Sequence, residues 1–393
     1  MAEWLTEAGR DRLEEYNPLI AEHYERAEAY PQAAEHLRRV AARASVVGSL
    51  DEAIRIQQRA VGMLSEVVSP IRMHLQIDLG SALAVKGSYD VALAELESGL
   101  EAARSLGERS AEAKALAELG RVVGVWRGDI QAGQTYFDEA LPIARELKDR
   151  PALVFITRQL GNLSNSLGEL DKARAHLEES LALAREIGDR GAEVNALNSL
   201  GNTLQGQDDF DGALRYYQEG LDLAAEIGDR GQRAMLTGNM AQVHYLKGDF
   251  TSAKRLSERG LALAREVGSD FLTVGGLWGI GTAQVRLGEL EQARPLMQEA
   301  LRMAVAMGSD AAKLSALPEY ARLSAIEGNQ ERGLEWIGLT LHHPTSNYDV
   351  QRDAARVLSE IRGDLSEDEV QAALQRGAKL DLDGVIKSLL GET

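Results

Sequence analysis

Histidines, carboxylates and glycines are the residues of this sequence whose types could support metal binding, acid–base catalysis or phosphate binding. The seven histidines are scattered, and only His342 and His343 are neighbours in the sequence. No His-Glu-x-x-His arrangement occurs, so the histidine spacing does not favour a metal site. The phosphate-loop pattern Gly-x4-Gly-Lys-Ser/Thr is also absent. We therefore expect no metal, no other cofactor and no enzymatic activity.

One glycine-rich segment partly matches the pattern of a nucleotide-binding loop. Gly279 and Gly281 could begin the pattern Gly-x-Gly-x-x-Gly, but Gln284 stands at its last place. The segment, which also contains Gly275 and Gly276, falls within a predicted helix rather than after a strand. We interpret these glycines as sites of close helix packing. The abundant carboxylates fit the solvated faces of amphipathic helices.

The net negative charge of the chain limits the kinds of partner that it can bind. The 393 residues include 43 Lys and Arg against 61 Asp and Glu, a net charge of −18. Phosphate binding requires an excess of cations, so we do not expect direct binding to nucleic acid or to an anionic membrane. The absence of cysteine excludes disulfides and thiolate chemistry. The acidic start has no apolar signal core, and no run approaches a membrane span, so we expect a cytoplasmic protein.

A repeat with a mean period of 40 residues organises the sequence. The phrase Gly-x-(large apolar)-x-x-Ala, with variants, occurs eight times. Its copies begin at Gly48, Gly87, Gly128, Gly168, Asp208, Gly248, Gly288 and Gly328. Aromatic residues make up only 5% of the chain, which favours helices over sheets. A fixed period of this length is the signature of a helical repeat array.

Each repeat predicts two helices, here called A and B, with the phrase at the turn between them. A small residue stands seven positions before each turn, except at Gly120, where the spacing is eight. The other seven are Ala41, Gly80, Gly161, Gly201, Ala241, Gly281 and Ala321. Gly188 suits the left-handed position after a B helix, and Asp189 can cap the next A helix. Segments such as 171–187 and 190–205 therefore predict helices of about 17 residues.

These features resemble the tetratricopeptide repeat. The likeness covers residues 30–341 and includes the phrases Leu160-Gly161-Asn162 and Leu200-Gly201-Asn202. The period of 40 exceeds the usual 34, and Thr157 and Ser164 replace common aromatics. The resemblance implies an all-α, right-handed superhelical solenoid of about eight helix-turn-helix repeats. We expect a lead-in at 1–29, the solenoid at 30–341 and a helical cap at 342–393.

The sequences at the two ends of the repeat array resemble a narrower group of repeat proteins. The phrase at 21–27, Ala-Glu-His-Tyr-Glu-Arg-Ala, and Leu-His-His-Pro at 341–344 resemble the repeat region of bacterial STAND-type signalling ATPases. This likeness implies the sensor or scaffold arm of such a protein, which binds a protein segment or a small effector. A free-standing adaptor that captures peptides is the alternative. A repeat-type phosphatase or other hydrolase is a third hypothesis. The oligomeric state stays open.

In resembling repeats, the A helices line a concave groove through positions close to the small central residue. Mapped here, these positions are mostly amides and arginines, which suit an extended peptide. The expected contact residues are Arg121, Arg158, Asn162, Asn165, Asn198, Asn202, Gln205, Gln242, Tyr245, Trp278 and Thr282. The alternative interpretation is a solvated groove in which asparagine is merely tolerated, with Trp278 part of the core.

Overall fold

The computed structural model describes residues 13–46, 49–64 and 68–391. Within these ranges the regular structure is helical, and no residue lies in a strand. Gly48, the first residue of the first repeat phrase, and residues 1–12 of the predicted lead-in fall outside the described residues. The chain forms two compact units, residues 1–160 and residues 161–393, here called unit 1 and unit 2.

Successive helices are joined mostly by turns of two or three residues. Unit 1 contains α1 Leu13–Arg26, α2 Tyr30–Val46, α3 Leu50–Met63, α4 Pro70–Val85, α5 Tyr89–Leu106, α6 Arg109–Gly120 and α7 Ile130–Leu147. Helix α8, Arg150–Ser166, runs from unit 1 into unit 2. Unit 2 continues with α9 Leu170–Ile187, α10 Arg190–Gly206, α11 Phe210–Glu226, α12 Arg230–Leu246, α13 Phe250–Glu266, α14 Asp270–Leu287, α15 Leu290–Ala306 and α16 Asp310–Ile326. It ends with α17 Gln330–His342, α18 Tyr348–Ile361, α19 Glu367–Gly377 and α20 Leu382–Leu390.

Local chemistry explains where the helices begin and end. Gly188 closes α9 in the left-handed conformation, with φ of 70°, which costs glycine no steric strain. Asp189 then accepts a hydrogen bond from the Ala192 backbone N–H at 2.9 Å and caps α10. The predicted turn residues and the predicted all-α repeat fold are therefore confirmed.

Small residues on the A helices let the B helices approach closely. A Cβ at Gly201 would lie 2.3 Å from the buried ring of Tyr217 on α11. A Cβ at Gly161 would lie 2.5 Å from Cγ of Leu177 on α9. These positions recur every 40 residues because each repeat uses the same contact between its two helices.

A π-helical turn interrupts the regular pattern at Arg121–Trp126, directly after α6. Within it, the Arg127 N–H donates to the Val122 carbonyl five residues earlier, at 2.9 Å. This is the repeat whose small residue, Gly120, stands eight positions before the turn instead of seven. The π turn absorbs the extra residue, so the following B helix keeps its register.

The C-terminal helices of unit 2 share one core with the last repeat. Side chains from α16 and α17, including Leu317 and Ile337, pack with Val357 of α18, Leu374 of α19 and Ile386 of α20. Helix α19 begins with a capping box between Ser366 and Glu369. Apolar residues of the last repeat are thereby covered, as the end of a helical array requires.

Helix α18 lies along the A-helix ends of unit 2. Its first residue, Tyr348, packs on Gly168, where a Cβ would approach the tyrosine ring to 2.8 Å. One turn later, the Arg352 guanidinium donates to the Gly206 carbonyl at 2.9 Å. A cation at the carbonyl end of α10 is favoured by the partial negative charge there.

Glu360, one residue before the end of α18, completes this attachment. Its carboxylate accepts a hydrogen bond from Arg286 Nη1 of α14 at 2.8 Å, and a second from Arg322 of α16. Arg322 also donates from Nε to the buried Glu319 carboxylate at 3.1 Å. Helix α18 is thus held by polar contacts at both ends and by Val357 in the core between them.

Candidate functional site

The predicted contact residues divide between the two units. Arg121 and Arg158 lie in unit 1, on the π turn and on α8. The remaining nine lie in unit 2 and follow its A helices, α8, α10, α12 and α14: Asn162, Asn165, Asn198, Asn202, Gln205, Gln242, Tyr245, Trp278 and Thr282.

The two arginines of unit 1 share an aromatic neighbour. Their guanidinium carbons lie 5.8 Å (Arg121) and 5.9 Å (Arg158) from the centre of the Phe155 ring. Arg121 also lies 4.2 Å from the Trp126 ring, and its Nε donates to Glu118 at 2.9 Å. Burial first, and then the charge of Arg121, lower the pKa of Arg158.

The Asn and Gln side chains along the A helices of unit 2 are here called the amide-rich run. Many of them are hydrogen-bonded to one another or to neighbouring hydroxyl groups. Asn239 donates from Nδ2 to Asn198 Oδ1 at 2.7 Å, and its nitrogen lies 3.4 Å from Asn202 Oδ1. The Tyr217 hydroxyl donates to the same Asn202 oxygen at 2.6 Å. Thr203 similarly donates to Asn165 Oδ1 at 3.0 Å. These contacts fix the orientation of the amides, because each of these oxygens is already an acceptor.

Other amide groups remain available to a ligand. Within the described ranges, the Nδ2 groups of Asn162 and Asn202 donate no hydrogen bond, and the same holds for the side chain of Gln242. Asn202 and Gln242 are exposed, while Asn162 is half-buried. Each Nδ2 can donate to a backbone carbonyl of an extended segment. In the amide-rich run, hydrogen bonds therefore hold several amide oxygens in place, while some amide nitrogens stay free to donate to a ligand.

A cavity of about 370 Å³ opens beside this run, among helices α12 to α16. Four predicted residues contribute to its wall: Gln242, Tyr245, Trp278 and Thr282. Most of the lining is apolar, and Phe271 at the cavity is 65% exposed. An apolar concave surface with a few polar groups is the usual form of a small-molecule or side-chain pocket.

Glycines create part of the space. Gly238 on α12 and Gly275 on α14 both line the cavity, and a Cβ added at either position would meet no atom within 4 Å. Gly276 and Gly279 differ, because a Cβ there would lie 2.9 Å from Leu261 and 2.5 Å from Ser257. The interpretation of the glycine-rich segment as close packing thus accounts for Gly276 and Gly279, while Gly275 faces open space.

Trp278 belongs to both the cavity and the core. It lines the cavity and packs against the buried clusters of the last repeats, with its ring centre 5.8 Å from that of Tyr320.

Tyr245 similarly connects the cavity to α18. Its ring lies 5.3 Å from the Arg356 guanidinium, and its hydroxyl donates to Glu319 at 3.2 Å. Burial raises the pKa of Tyr245 to about 12, so this donor stays protonated at neutral pH.

Sequence reasoning missed three contributors to this surface. Gly238 lies three residues before the small residue Ala241, the place that Arg158 and Asn198 occupy in their repeats, but it has no side chain to mark it as a contact. Asn239, the next residue, links the amide-rich run to the cavity and was not among the expected contacts. Phe271 stands at the start of α14 with no repeat signal to mark it.

Two kinds of feature are absent from the residues that the structure describes. No group of three His, Asp or Glu side chains there could hold a metal ion. None of the described helices combines the length and the apolar character that crossing a bilayer requires.

A family comparison decides the kind of repeat. Residues 148–380, more than half of the chain, match the model of the MalT-like TPR region. The chain belongs to this family. The predicted resemblance to a tetratricopeptide repeat region of the maltose-regulator-like kind is thereby confirmed. A comparison with curated proteins finds no match.

Solved structures show the same fold as this MalT-like TPR chain. A Rap protein complexed with competence and sporulation factor has a TM-score of 0.62 at 11% identity, covering 92% of this chain and 100% of that chain. A STAND ATPase with a tetratricopeptide repeat sensor from Pyrococcus horikoshii has 0.58 at 15%, covering 92% and 55%. NprR in complex with its cognate peptide NprX has 0.54 at 15%, covering 84% and 98%. The chain thus corresponds to about half of that ATPase.

Proposed function

We propose that this chain is a non-enzymatic binding module that captures an extended protein segment along the A helices of unit 2. The observation that carries the proposal is the continuity of the surface. Asn239 bonds to Asn198 in the amide run and also lines the cavity beside Trp278. A ligand backbone would bond to the free amides, and one apolar side chain would enter the cavity.

The proposed contacts of unit 2 are the nine predicted residues together with Asn239, Gly238 and Phe271. Peptide recognition by helical repeats uses an extended concave surface of this kind. The complex of NprR with its peptide, which shares the fold, supports the same mode here. The cavity volume, about 370 Å³, lies at the lower end of the range for ligand pockets. It therefore suits a single side chain or a small effector better than a folded partner.

We further propose that the chain serves as the cytoplasmic sensor arm of a signalling ATPase. The family match and the fold shared with the sensor-bearing ATPase support this role. A free-standing adaptor would use the same binding surface without an attached ATPase. Co-purification of an ATPase activity that responds to the captured ligand would favour the sensor arm, and its absence would favour the adaptor.

Filling the cavity tests the binding proposal. Gly275→Leu would place a side chain in the cavity, whereas Gly62→Leu changes an exposed helical glycine on α3 that also has open space around it. Protein segments retained by the wild-type chain from its source cell would be identified by mass spectrometry, synthesised and titrated calorimetrically. We expect Gly275→Leu to weaken binding at least about tenfold, the loss of roughly 1.4 kcal/mol, and Gly62→Leu to leave it unchanged. Equal affinity for wild type and Gly275→Leu would remove the cavity from the binding site.

A further inference from the structure

Helix α18 is attached to the rest of unit 2 unequally along its length. Its second half contributes Ala354, Val357 and Ile361 to the core of the last repeat, and all three are buried. In its first half, residues 348–353, no residue is buried, although Val350 is partly covered by the same core. We call residues 348–353 the clasp. Because apolar burial is the main stabilising contribution, the second half holds α18 in place, and the clasp is the part that can detach locally.

The charges of the clasp are paired within α18 itself. Asp349 lies 3.8 Å from Arg352, and Asp353 pairs with Arg356. The Arg352 guanidinium also lies 5.8 Å from the centre of the Tyr348 ring. In the part of the chain that the structure describes, no ion pair joins the clasp to the repeats. The clasp can therefore lift without separating a pair of opposite charges.

The Tyr348 ring rests on the turn between α8 and α9. A Cβ at Gly168, the first residue of this repeat phrase, would lie 2.8 Å from the ring. At Gly248 and Gly288, which hold the same place in other repeats, an added Cβ would meet no atom within 4 Å. The repeat after Gly168 has Asp208 at this place, with φ of 60°, so the turn itself accepts a side chain. A side chain at position 168 is thus compatible with the turn but not with the closed clasp.

Arg352 makes the second contact of the clasp, at the carbonyl end of α10. Its Nη1 donates to the Gly206 carbonyl at 2.9 Å and lies 3.4 Å from the carbonyl oxygen of Gln205, one of the predicted contact residues. The side-chain oxygen of Gln205 lies 3.3 Å from the hydroxyl of the buried Tyr217. Burial first, and then the charge of Asp349, raise the pKa of that hydroxyl. The closed clasp therefore lies against the Gln205 end of the amide-rich run.

We propose that the clasp regulates the binding surface of unit 2 by lifting away from Gly168 and Gly206 while the second half of α18 stays in the core. In the closed state, a segment bound along the amide-rich run meets Arg352 when it reaches Gln205. In the open state, the carbonyl groups at the end of α10 become acceptors for that segment, because they lack partners within their own helix. The regulatory role rests on the proposed function, whereas the movement of the clasp does not.

Spin labels measure the movement in the absence of any ligand. The chain has no cysteine, so labelled cysteines can be placed at exposed positions of the full-length protein. One pair combines Ala175→Cys on α9 with Gln351→Cys in the clasp, and a matched pair combines Ala175→Cys with Ser359→Cys in the second half of α18. Double electron–electron resonance gives the distance distribution of each pair. We expect a minor longer distance, below about 10% of molecules, for the clasp pair and a single distance for the matched pair.

Changes beneath and within the clasp should shift this distribution. Gly168→Asn places a side chain where the Tyr348 ring lies and should raise the ratio of open to closed clasp at least about tenfold. Asparagine tolerates the left-handed conformation, and Gly248→Asn, at the equivalent turn with open space around it, is the matched control that should change nothing. Tyr348→Ala combined with Arg352→Gln removes both contacts and should open the clasp as Gly168→Asn does.

A peptide with the clasp's own sequence tests whether the uncovered surface accepts a segment. Acetyl-Asn-Tyr-Asp-Val-Gln-Arg-Asp-Ala-amide, which is residues 347–354, is added to the labelled Arg352→Gln chain at about millimolar concentration, the effective concentration of a short tether. A ligand that binds only the open state raises the open fraction, so we expect a saturable rise. The counterpart with alanine for tyrosine and glutamine for arginine should have no effect.

Three results would overturn the proposal. The first is an unchanged distance distribution of the clasp pair in both Gly168→Asn and the Tyr348→Ala, Arg352→Gln chain. The second is an equal movement of the Ser359→Cys label, which would mean that all of α18 detaches. The third is an open fraction that the matching peptide leaves unchanged. None of these measurements involves the cavity, so a failure of the cavity-filling test remains distinguishable from a failure of the clasp.

Discussion

Replacing Gly201 by alanine probes the close contact between helices α10 and α11. The new Cβ would lie 2.3 Å from Tyr217 Cε1 and 2.6 Å from its Cδ1. Non-bonded carbon atoms prefer about 3.5–4.0 Å, so the ring or the helix must shift by more than an ångström. Tyr217 is fully buried, and its hydroxyl is bonded to Asn202 at 2.6 Å. The ring therefore has little freedom to move.

The expected magnitude combines two opposing effects. Overpacking a core costs about 1–3 kcal/mol. Exchanging an interior helical glycine for alanine returns roughly 1 kcal/mol through helix propensity. The clash at 2.3 Å with a fully buried ring places the overpacking cost in the upper part of that range, about 2–3 kcal/mol. For Gly201→Ala we therefore expect a net loss of about 1–2 kcal/mol in the free energy of unfolding. Gly275→Ala is the matched control, since its Cβ meets no atom within 4 Å, and it should stabilise the protein by up to about 1 kcal/mol.

Urea unfolding followed by circular dichroism measures both changes. The two variants should move the midpoint in opposite directions, although the chemical substitution is the same. In a Tyr217→Ala background the ring is gone, so Gly201→Ala should become neutral or stabilising, which a double-mutant cycle detects. Shifts of the same sign for Gly201→Ala and Gly275→Ala, or no coupling to Tyr217, would refute the reasoning.

Further outcomes follow from other parts of the chain. Far-ultraviolet circular dichroism should show at least about two-thirds helix, well above the usual one-third, and a substantial strand signal would contradict this. Removing residues 344–393 uncovers the core of the last repeat and should cause aggregation on size-exclusion chromatography; a stable monomer would contradict the capping role. Burial lowers the pKa of His36, so its neutral form stabilises the fold above the unfolded pKa of about 6.5. That stability is lost as the pH falls below this value and through the lower pKa of the folded state, and His36→Gln should reduce the acid-induced fall of the urea midpoint. Glu178→Ala removes an exposed pair with Arg174 and should change the free energy of unfolding by under about 1 kcal/mol.

The repeat period and the helix boundaries could be predicted because their causes are local. The predicted segment 190–205 corresponds to Arg190–Gly206, and 171–187 to Leu170–Ile187. Asp189 caps its helix through a residue only three positions away. Even the π turn had a signal, the eight-residue spacing after Gly120. The spacing showed that one residue was extra but not how the backbone would absorb it.

The groove residues were predictable only as positions on the A helices. Their hydrogen bonds were not, because the amide of Asn198 meets its partner Asn239 from the next repeat, 41 residues later. Whether an amide is free or already bonded depends on which side chains of the neighbouring helices lie within hydrogen-bond distance of it. The same limit explains why Gly238 was missed: a missing side chain becomes a cavity wall only when the surrounding helices leave the space open.

The amino-acid sequence by itself determined the helical repeat, its turns and its caps, since these depend on residues within one or two turns of each other. Tertiary structure decided the cavity and the course of α18. Arg352 reaches the carbonyl of Gly206, 146 residues earlier in the chain, and no local pattern predicts a contact over that separation. Repeated sequence makes every A helix similar in isolation. Packing against non-identical neighbours makes them different, because each side chain's burial and its partners are set by whatever the next helix brings.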